Sequence, residues 1–471
     1  NSLRLSHSDN GFLERTTAGV ADSNRRTFTF SWWTKISVGV EQHLYGFRVN
    51  ANNASFFRFN ANGQLRFANE DNDGTVHRVE TNRKFRDTSA FYHIVLRVDT
   101  TQGTAANRVR IYVNGVEETS LATTDYPAEN YQLEINQTDS FIIGSMRNTN
   151  GTTTGAIEGY LADVHFADGQ SLAPTVFGET NDNGVWIPKD CKADITYGTR
   201  GFFLNFSEGN IGNSGEMAVG NIGADYSGNG NHFASGNVTT LDQTTDTPTN
   251  NFATLNPLDT NSNHTFSEGN CKIVYSASAG TFGVTKSTIG VAKGKWYWEI
   301  KYTYGNAGQF GVFDVNDTVT NTADIFSEAG NSTFEGLAWR IDGNNNIKEC
   351  ADGQQADTNV DFSSGNILGV AFDADNGKIY AYNNGSELTS QDISANTSLI
   401  TAVTVSDFYL PFISNGDGGS GTKTGTSEIN FGNPSFAISS SNADADGHGN
   451  FEFAVPSGYF ALCTKNLAEY G

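Results

Sequence analysis

The acidic clusters of this 471-residue chain are the first places where its side chains could do chemistry. Hydrolysis of a glycosidic bond with retention of configuration needs two carboxylates roughly 5 Å apart. No strand-like run of the sequence carries such a set of acids. The nearest substitute, NEDND at residues 69–73, leads into Gly74 and is typical of a solvated turn. The sequence therefore predicts no catalytic residue and no enzyme.

Two further acidic loops raise the question of calcium, which takes six to eight oxygen ligands. DADNG from Asp373 and NADADGHGN from Asn442 each offer two aspartates with some amide and backbone oxygens. The first loop falls where a hairpin is predicted to turn, so we interpret it as structural. In the second, His448 stands where a third acid would serve, which leaves Asp444 and Asp446 as calcium candidates. No other cofactor is expected.

The glycine-rich stretch NGDGGSGTKTG, residues 415–425, is similar to a phosphate-binding loop only in composition. Thr422 separates the last glycine of the run from the lysine, and a strand is predicted to follow where a phosphate loop needs a helix. We therefore interpret the stretch as the tip of a hairpin. Because rigid sandwiches display binding residues on end loops, the ligand-binding candidates there are Asn415, Asp417 and Lys423.

The histidines and cysteines show no spacing that would bind a metal or activate a nucleophile. The eight histidines include no HExxH motif, and no serine lies in a Gly-x-Ser-x-Gly elbow. The cysteines lie far apart without a CxxC pair, which argues against zinc and favours free, buried thiols. They are Cys191, Cys271, Cys350 and Cys463.

The net charge of −23 would repel phosphate backbones and anionic lipid, so we expect neither a nucleic-acid nor a membrane partner. No apolar run approaches the ~18 residues of a membrane span, which predicts a soluble protein. Residues 1–110 hold 15 Lys and Arg against 10 Asp and Glu, whereas the rest holds 14 against 42. One hypothesis is that the first domain docks on an acidic surface through Arg25, Arg26, Arg83 and Arg86. The alternative is a set of solvated strand faces and loops.

The elements that would position these residues are β-strands. Read with period two, GKWYWEIKY at residues 294–302 puts Trp296 and Trp298 on one side and Tyr297 and Glu299 on the other. We predict a half-buried strand with its tryptophans in the core and its polar face towards water. A row of tryptophans that stacks on sugar rings is the alternative.

Two copies of one hairpin pattern indicate two related domains. RVRIYVNGVE (108–117) and NILGVAFDADNGKIYAYNNGSEL (366–388) alternate apolar with polar residues and contain Asn-Gly, the pair that favours a type I′ turn. Many short strands and almost no helical periodicity predict an all-β fold with a sandwich or jelly roll in each domain. The predicted boundaries are 1–224, a Gly-, Asn- and Thr-rich connector at 225–263, and 264–471.

Several of these stretches resemble known families. TFTFSWWTKIS, YHIVLRV, RIYVNGV, FIIGS and GYLADVHFADGQSLAPTVFGE resemble the laminin-G-like branch of the concanavalin A-like lectin and glucanase superfamily. GKWYWEIKY, FGVFD, ILGVAFDADNGKIYAYNNGSEL, YLPFIS and INFGN look like a SPRY domain. The order of the two, with NSLRLSHSDNGFLERT at the start and DNGVWIPK and TPTNNFATLNPL between them, is similar to virion structural proteins of tailed phages, especially those of marine bacteria.

The resemblance implies two concanavalin A-like jelly-roll β-sandwiches in tandem. It also implies a non-enzymatic virion structural protein on the virion surface, either a capsid decoration or fibre or a tail fibre or appendage. Its partners would be other virion proteins or copies of itself, as a homo-oligomer, and its lectin-like domains would adhere to a host-surface glycan. The first alternative is a secreted or cell-surface lectin-like adhesin. The second is a polysaccharide-degrading glucanase. Glucanases of this superfamily carry their acids on one strand as Glu-x-Asp-x-x-Glu, and the absence of this motif disfavours that alternative.

Overall fold

A computed structural model divides the chain into two compact units, Asn1–Thr249 and Asn250–Gly471. Of the predicted connector, residues 225–249 lie in the first unit and residues 250–263 in the second. The structure describes residues 1–16, 23–37, 39–50, 52–137, 139–148, 150–211, 220–260, 263–277, 282–303, 308–316, 336–341, 346–351, 354–388, 391–398, 408–416 and 423–471.

The first unit consists of short strands joined by turns, with 3₁₀ turns at Ala105–Asn107, Pro174–Val176, Lys192–Asp194 and Thr240–Asp242. Its strands are β1 (Ser2–Leu5), β2 (Phe12–Thr16), β3 (Thr27–Ile36), β4 (Gln42–Arg48), β5 (Ala54–Phe59), β6 (Gln64–Glu70), β7 (Val76–Lys84), β8 (Tyr92–Asp99), β9 (Val109–Val113), β10 (Val116–Glu117), β11 (Leu121–Asp125), β12 (Ser140–Ile143), β13 (Met146–Arg147), β14 (Thr153–Thr154), β15 (Gly159–Asp168), β16 (Gly178–Thr180), β17 (Trp186–Pro188), β18 (Phe202–Leu204), β19 (Ala234–Gly236) and β20 (Gln243–Thr244).

Two large antiparallel sheets form the body of this unit, and β13-β14 and β16-β17 form two-stranded sheets beside them. The first large sheet has the order β10-β9-β8-β3-β15-β1-β20, with β18 also paired to β15, and the second has the order β11-β7-β6-β5-β4-β12-β2-β19. Aromatic rings from both sheets meet between them: Phe30 of β3 stacks on Tyr45 of β4 at a centroid distance of 4.6 Å and on Phe166 of β15 at 4.4 Å. The unit is therefore a β-sandwich with one aromatic-rich core.

The outer face of the first sheet is also covered, because the chain after β15 folds back over it. Phe177, Cys191 and Tyr197 of this covering segment pack with Val95 of β8 and Tyr112 of β9. Both faces of β3 are consequently buried, including the face that carries Thr29, Ser31 and Lys35.

Trp186 fixes the covering segment to the first sheet. Its Nε1–H donates to Nδ1 of His93 at 3.0 Å, and the His93 ring lies stacked between Trp186 and Trp33. A Cβ added at Gly115 or Gly178 would lie 2.8 or 2.6 Å from the indole, so these glycines allow the ring to sit against the backbone.

The second unit is a β-sandwich with a short helix at its end. Its elements are β21 (Leu255–Thr260), β22 (His264–Ser267), β23 (Lys272–Ala277), β24 (Phe282–Ser287), β25 (Lys295–Thr303), β26 (Gly308–Asp314), β27 (Gly336–Ile341), β28 (Asn346–Ala351), β29 (Gln354–Asp361), β30 (Ile367–Asp373), β31 (Lys378–Asn383), β32 (Ser386–Glu387), β33 (Tyr409–Gly416), β34 (Lys423–Asn430), β35 (Phe460–Ala461) and α1 (Thr464–Tyr470). One sheet has the order β21-β24-β33-β26-β27-β28-β29 and the other β22-β23-β34-β25-β30-β31-β32, with β35 parallel to β25.

No helix within the described ranges combines the length and the apolar character that a membrane span requires. The all-β prediction is confirmed: α1 covers seven residues, and both units consist of antiparallel sheets packed around a core. Both Asn-Gly turns are confirmed as well, because Asn114 and Gly115 have φ of 48° and 80°, and Asn384 and Gly385 have φ of 47° and 78°. Of the cysteines, Cys191, Cys271 and Cys463 are free and buried as predicted.

The tryptophans of β25 lie in the core, as predicted, since Trp296 and Trp298 are both 0% exposed. The prediction for the opposite face was wrong. Tyr297 and Glu299 are 1% and 0% exposed, because the chain around Phe451 packs over that face. The C-terminal segment supplies this cover, and period-two alternation within one strand carries no information about it.

Candidate functional site

Three polar loops meet at one end of the second sheet of the first unit. They are the loop before β5, the turn between β6 and β7, and the chain between β11 and β12. The turn between β6 and β7 closes with the N–H of Asp71 donating to the carbonyl of Thr75 and that of Gly74 donating to the carbonyl of Asp71, both at 2.9 Å. Gly74 has φ of +86°, which suits glycine at this turn. Because Ala54 pairs with Glu70 and Glu70 with Val76, the connection before β5 lies at the same end.

Asn69 joins the turn to Glu134, which comes from the chain between β11 and β12. The fully buried Asn69 side chain donates to Oδ1 of Asp71 at 3.1 Å and accepts the backbone N–H of Glu134 at 2.7 Å. One amide therefore positions both acids and brings their carboxyl groups within hydrogen-bonding reach of each other.

The Glu134 carboxylate is surrounded by donors. Arg25 Nη2 donates to Oε1 at 3.3 Å, Asn53 Nδ2 donates to Oε2 at 3.3 Å, and Gln137 Nε2 donates to Oε2 as well. Glu134 is only 7% exposed, whereas Asp71 is half-buried and remains accessible from solvent. Of the two acids, Asp71 is therefore the one that can meet a ligand.

Burial and the neighbouring acid together change the charge state of Asp71. Partial burial, a hydrogen bond with Glu134 and the charge of Glu134 raise the pKa of the Asp71 carboxyl to about 6. Below that pH, Asp71 is protonated and can donate to Glu134. Above it, Asp71 is a carboxylate that accepts hydrogen bonds, and its repulsion from Glu134 favours any ligand that donates to it.

Exposed amides extend this rim. Asn52 Nδ2 donates to Oδ1 of Asn72 at 3.1 Å, which links the connection before β5 to the turn after β6. Asn50 Oδ1 in turn accepts the backbone N–H groups of Asn52 and Asn53 at 2.9 and 3.0 Å. The rim thus presents a carboxylate and two amides, all planar groups that form directional hydrogen bonds.

The same geometry limits the other chemistry of the pair. The Asp71 carboxyl interacts with Glu134 through a hydrogen bond, whereas a retaining glycosidase holds its two acids apart across the scissile bond. Two carboxylates also supply too few of the six to eight oxygens that calcium takes. Within the described part of the chain, no group of three or more His, Cys, Asp or Glu could hold a metal ion.

The calcium candidates of the second unit are used internally. Both oxygens of the Asp444 carboxylate accept two hydrogen bonds each, at 2.8–3.0 Å, from the N–H groups of Asp446, His448 and Ala461 and the side-chain amide of Asn466. Asp446 accepts the hydroxyl of Tyr470 at 2.8 Å. The four donors leave Asp444 no lone pair for a cation, so its evident role is to organise the C-terminal segment.

The arginines of the docking hypothesis occupy different surroundings. Arg25 binds Glu134, and Arg83 pairs with Glu118 at 2.6 Å. Arg26 is half-buried at the start of β3, and Arg86 is exposed beyond the end of β7. The structure tests no docking surface, so the hypothesis stays a prediction. For the predicted hairpin tip, the side chains of Asn415 and Lys423 and the whole of Asp417 lie outside the described residues.

The sequence analysis interpreted residues 69–73 as a solvated turn without a functional role, and it missed Glu134. The sequence separates Asp71 and Glu134 by more than sixty positions, and only the folded chain brings them together, through the side chain of Asn69. The polar run EINQTD, residues 134–139, was the one available signal, and it does not reveal which side chain turns inward.

Residues 13–170 match a laminin-G-type family model of the concanavalin A-like lectin/glucanases superfamily. The matched residues lie within the first unit and include both Asp71 and Glu134. The first unit therefore contains a concanavalin A-like domain, as the sequence resemblance predicted. No curated protein matches this chain in sequence.

Among solved structures, the chain is similar to the SPRY domain of human HERC1, with 15% identity over 37% of this chain and 96% of that chain, and to the PSpry domain of TRIM65, with 12% identity over 38% and 91%. It is also similar to a native heptameric SAP-like pentraxin from Limulus polyphemus, with 14% identity over 36% and 76%. The TM-score is 0.27 in each case. Because these scores are low, the description of the fold rests on the chain's own strand pairing and cores.

Proposed function

We propose that the first unit binds carbohydrate, without cleaving it, at the rim formed by Asp71, Glu134, Asn52 and Asn72. The observation that carries this proposal is the accessible Asp71 carboxyl, held beside Glu134 and flanked by exposed amides within a concanavalin A-like domain. Sugar hydroxyls are both donors and acceptors, and a carboxylate beside amides offers the complementary set. The absence of a Glu-x-Asp-x-x-Glu motif from the sequence supports binding without hydrolysis.

Asp71→Asn tests the site, because the substitution keeps the shape of the side chain but replaces one acceptor oxygen with a donor. We expect the parent protein to bind one or more glycans on an array and the variant to bind the same glycans about tenfold more weakly. Asp182→Asn, in an exposed turn at Asn181–Gly184 of the same unit, is the matched control and should bind like the parent. Equal binding by all three proteins would contradict the proposal.

Binding through Asp71 should also depend on pH. The ligand needs the ionised carboxyl, and a pKa of about 6 leaves only about a tenth of the molecules ionised at pH 5. We expect affinity to rise roughly tenfold from pH 5 to pH 7, measured by titration calorimetry. The Asp71→Asn variant should lose this rise, and a rise that persists in the variant would assign the effect to another group.

We also propose that the chain acts as a virion structural protein, on a capsid or tail, and adheres to a host-surface glycan. This part is supported only by the sequence resemblance of its opening and linking segments. Imaging of native particles is the test: symmetric density for both units on a virion is expected, and its absence would favour a secreted or cell-surface adhesin. If salt, or the change of Arg26 and Arg86 to Ser, weakens attachment of the protein to the particle, this would support docking through the first domain, whose first 110 residues carry the excess of Lys and Arg.

A further inference from the structure

A cavity of the first unit lies on the opposite side of the sandwich from the Asp71 sheet. It has a volume of about 310 Å³ and opens between β15, β18 and the covering segment at residues 188–192. Its lining includes Asp163, His165, Lys189, Cys191, Lys192 and Phe203. Because β15 contributes to the first sheet and Asp71 belongs to the second, this cavity is separate from the rim proposed above.

Asp163 lies at a strained point of β15. Its φ is +44°, a left-handed conformation that side chains with a Cβ rarely adopt. The pairing of β15 with β3 shifts register between Ala162 and His165, so Asp163 is part of a β-bulge. Bulges re-aim a side chain, and here the re-aimed carboxyl lines the cavity. A glycine would adopt this backbone without strain, yet the chain carries an acid.

The Asp163 carboxyl is half-buried, and no described residue donates a hydrogen bond to it or forms an ion pair with it. Burial raises its pKa, the N-terminal ammonium of Asn1 acts in the opposite direction, and the charge of Asp190 adds a smaller rise. Asp168 on the same strand shows the contrast: its buried carboxylate accepts hydrogen bonds from Ser23 Oγ, from Asn136 Nδ2 at 3.0 Å and from the N–H of Arg200 at 3.0 Å. The fold thus supplies donors for one acid of β15 and leaves the other without them.

The wall beside Asp163 is aromatic and uncharged. His165 stacks on Phe203 with a centroid distance of 4.1 Å and an interplanar angle of 6°, and its Nδ1 is 2.9 Å from the Tyr197 hydroxyl. Burial lowers the pKa of His165 to about 3 and raises that of the Cys191 thiol to about 12. Both groups are therefore neutral at pH 7, which disfavours a nucleophilic thiolate and a thiolate-bound metal here.

We propose that this cavity binds a neutral, hydroxyl-rich ring the size of one monosaccharide, with the Asp163 carboxylate accepting hydrogen bonds from its hydroxyl groups. The volume lies near the lower end of the range for ligand pockets, about 300–1,000 Å³, which fits a single ring. The lining holds two lysines, Lys189 and Lys192, and two acids, Asp163 and Asp190, which suits a ligand without net charge. Lys189 also pairs with Asp194 at 3.7 Å. The proposal shares its ligand class with the proposed function, but none of its residues.

Two variants of Asp163 separate binding from folding. Asp163→Asn keeps the shape and the strained backbone but changes the acceptor, whereas Asp163→Gly also relieves the strain. We expect both to lose binding, and we expect Asp163→Gly to melt at a higher temperature than the parent. Loss of binding in a stabilised variant cannot be ascribed to unfolding. Asp182→Asn again serves as the matched control.

The probes are methyl glycosides of common neutral hexoses and pentoses, observed by saturation-transfer difference NMR with the intact chain. We expect at least one glycoside to bind the parent and the control alike, and to bind both Asp163 variants at least about tenfold more weakly. Binding lost in Asp71→Asn but kept in the Asp163 variants would support the first rim and overturn this proposal. A parent protein that binds none of the glycosides would also overturn the proposal. The same holds if the parent binds the cation methylammonium but no glycoside.

Discussion

At the scale of single residues, burial sets the charge of the histidines in the first unit. It is the main cause that lowers the pKa of His43, His93 and His165 to about 3 in each case. His93 shows the geometry behind this shift, since its Nδ1 accepts the Trp186 N–H and its Nε2 lies 2.8 Å from Ser31 Oγ. A proton added at Nδ1 would face the indole N–H, so the site excludes the charged form.

The first unit should therefore lose stability in acid. The unfolded chain binds a proton at each histidine near pH 6.5, whereas the folded chain does so only near pH 3, so stability falls as the pH drops below 6.5. For His93 alone the loss at pH 5 is about 2 kcal/mol. We expect His93→Gln to reduce the difference in unfolding free energy between pH 7 and pH 5 by about this amount in urea titrations. An unchanged difference would contradict the assignment.

The core position of the β25 tryptophans gives a second prediction at this scale. Trp298 is 0% exposed, so Trp298→Ala should lower the unfolding free energy of the second unit by about 3–5 kcal/mol in urea titrations. Val274→Ala, at a side chain that is 42% exposed, is the control and should cost less than about 1 kcal/mol. A Trp298 variant as stable as the control, with glycan binding lost, would instead support a sugar-stacking role.

At the scale of elements, Glu299 attaches the C-terminal segment to β25. Its carboxylate accepts the N–H groups of Phe453 at 2.8 Å and Glu452 at 3.0 Å, the amide of Asn430 at 3.1 Å and the hydroxyl of Tyr297 at 3.3 Å. These bonds favour the ionised form, yet burial outweighs them and raises the pKa of Glu299. The acid is fully buried, which fits a structural role.

Glu299→Gln should loosen this attachment, because an amide turns one acceptor oxygen into a donor that faces other donors. We expect the variant to lose about 1–3 kcal/mol of stability and to exchange the amide hydrogens of Glu452 and Phe453 faster than the parent. Glu428→Gln, on the adjacent strand β34, is the control. Unchanged protection of the two amides would show that the segment is held by its apolar contacts alone.

At the scale of the whole molecule, each unit contains the strands that complete its own sheets. β19 pairs with β2 and β20 pairs with β1, so both lie inside the first sandwich although they follow residue 224. Lys35 of β3 and Asp246 form an ion pair in which both side chains are buried. In the second unit, β21 pairs with β24 and so extends the sheet before residue 264.

Fragments cut at these places should differ in stability. We expect residues 1–249 and 250–471 to unfold cooperatively in urea, each as a separate protein. A fragment of residues 1–224 removes β19, β20 and Asp246, which leaves Lys35 without that partner and should cost about 3–5 kcal/mol or more. Equal midpoints for 1–224 and 1–249 would show that the residues after 224 contribute little to the first fold.

The sequence by itself determined the elements whose signals are local. An Asn-Gly pair has the backbone freedom for a type I′ turn wherever it falls, so both hairpins were predictable. The alternation of Trp296 and Trp298 placed them in the core because the side-chain period of a strand is two. The laminin-G-like domain was predictable because the resemblance lies in short contiguous stretches, which are also local signals.

Only the tertiary structure decided which surfaces are covered and which distant groups meet. The C-terminal segment buries Tyr297 and Glu299, and the folded chain brings Glu134 to Asp71 through the side chain of Asn69. The bulge that aims Asp163 into its cavity depends on the pairing of β15 with β3. Each of these features joins residues far apart in the chain, and the contact forms through the packing of whole sheets. No local pattern of side chains encodes such a contact, so the candidate sites could be identified only from the folded structure.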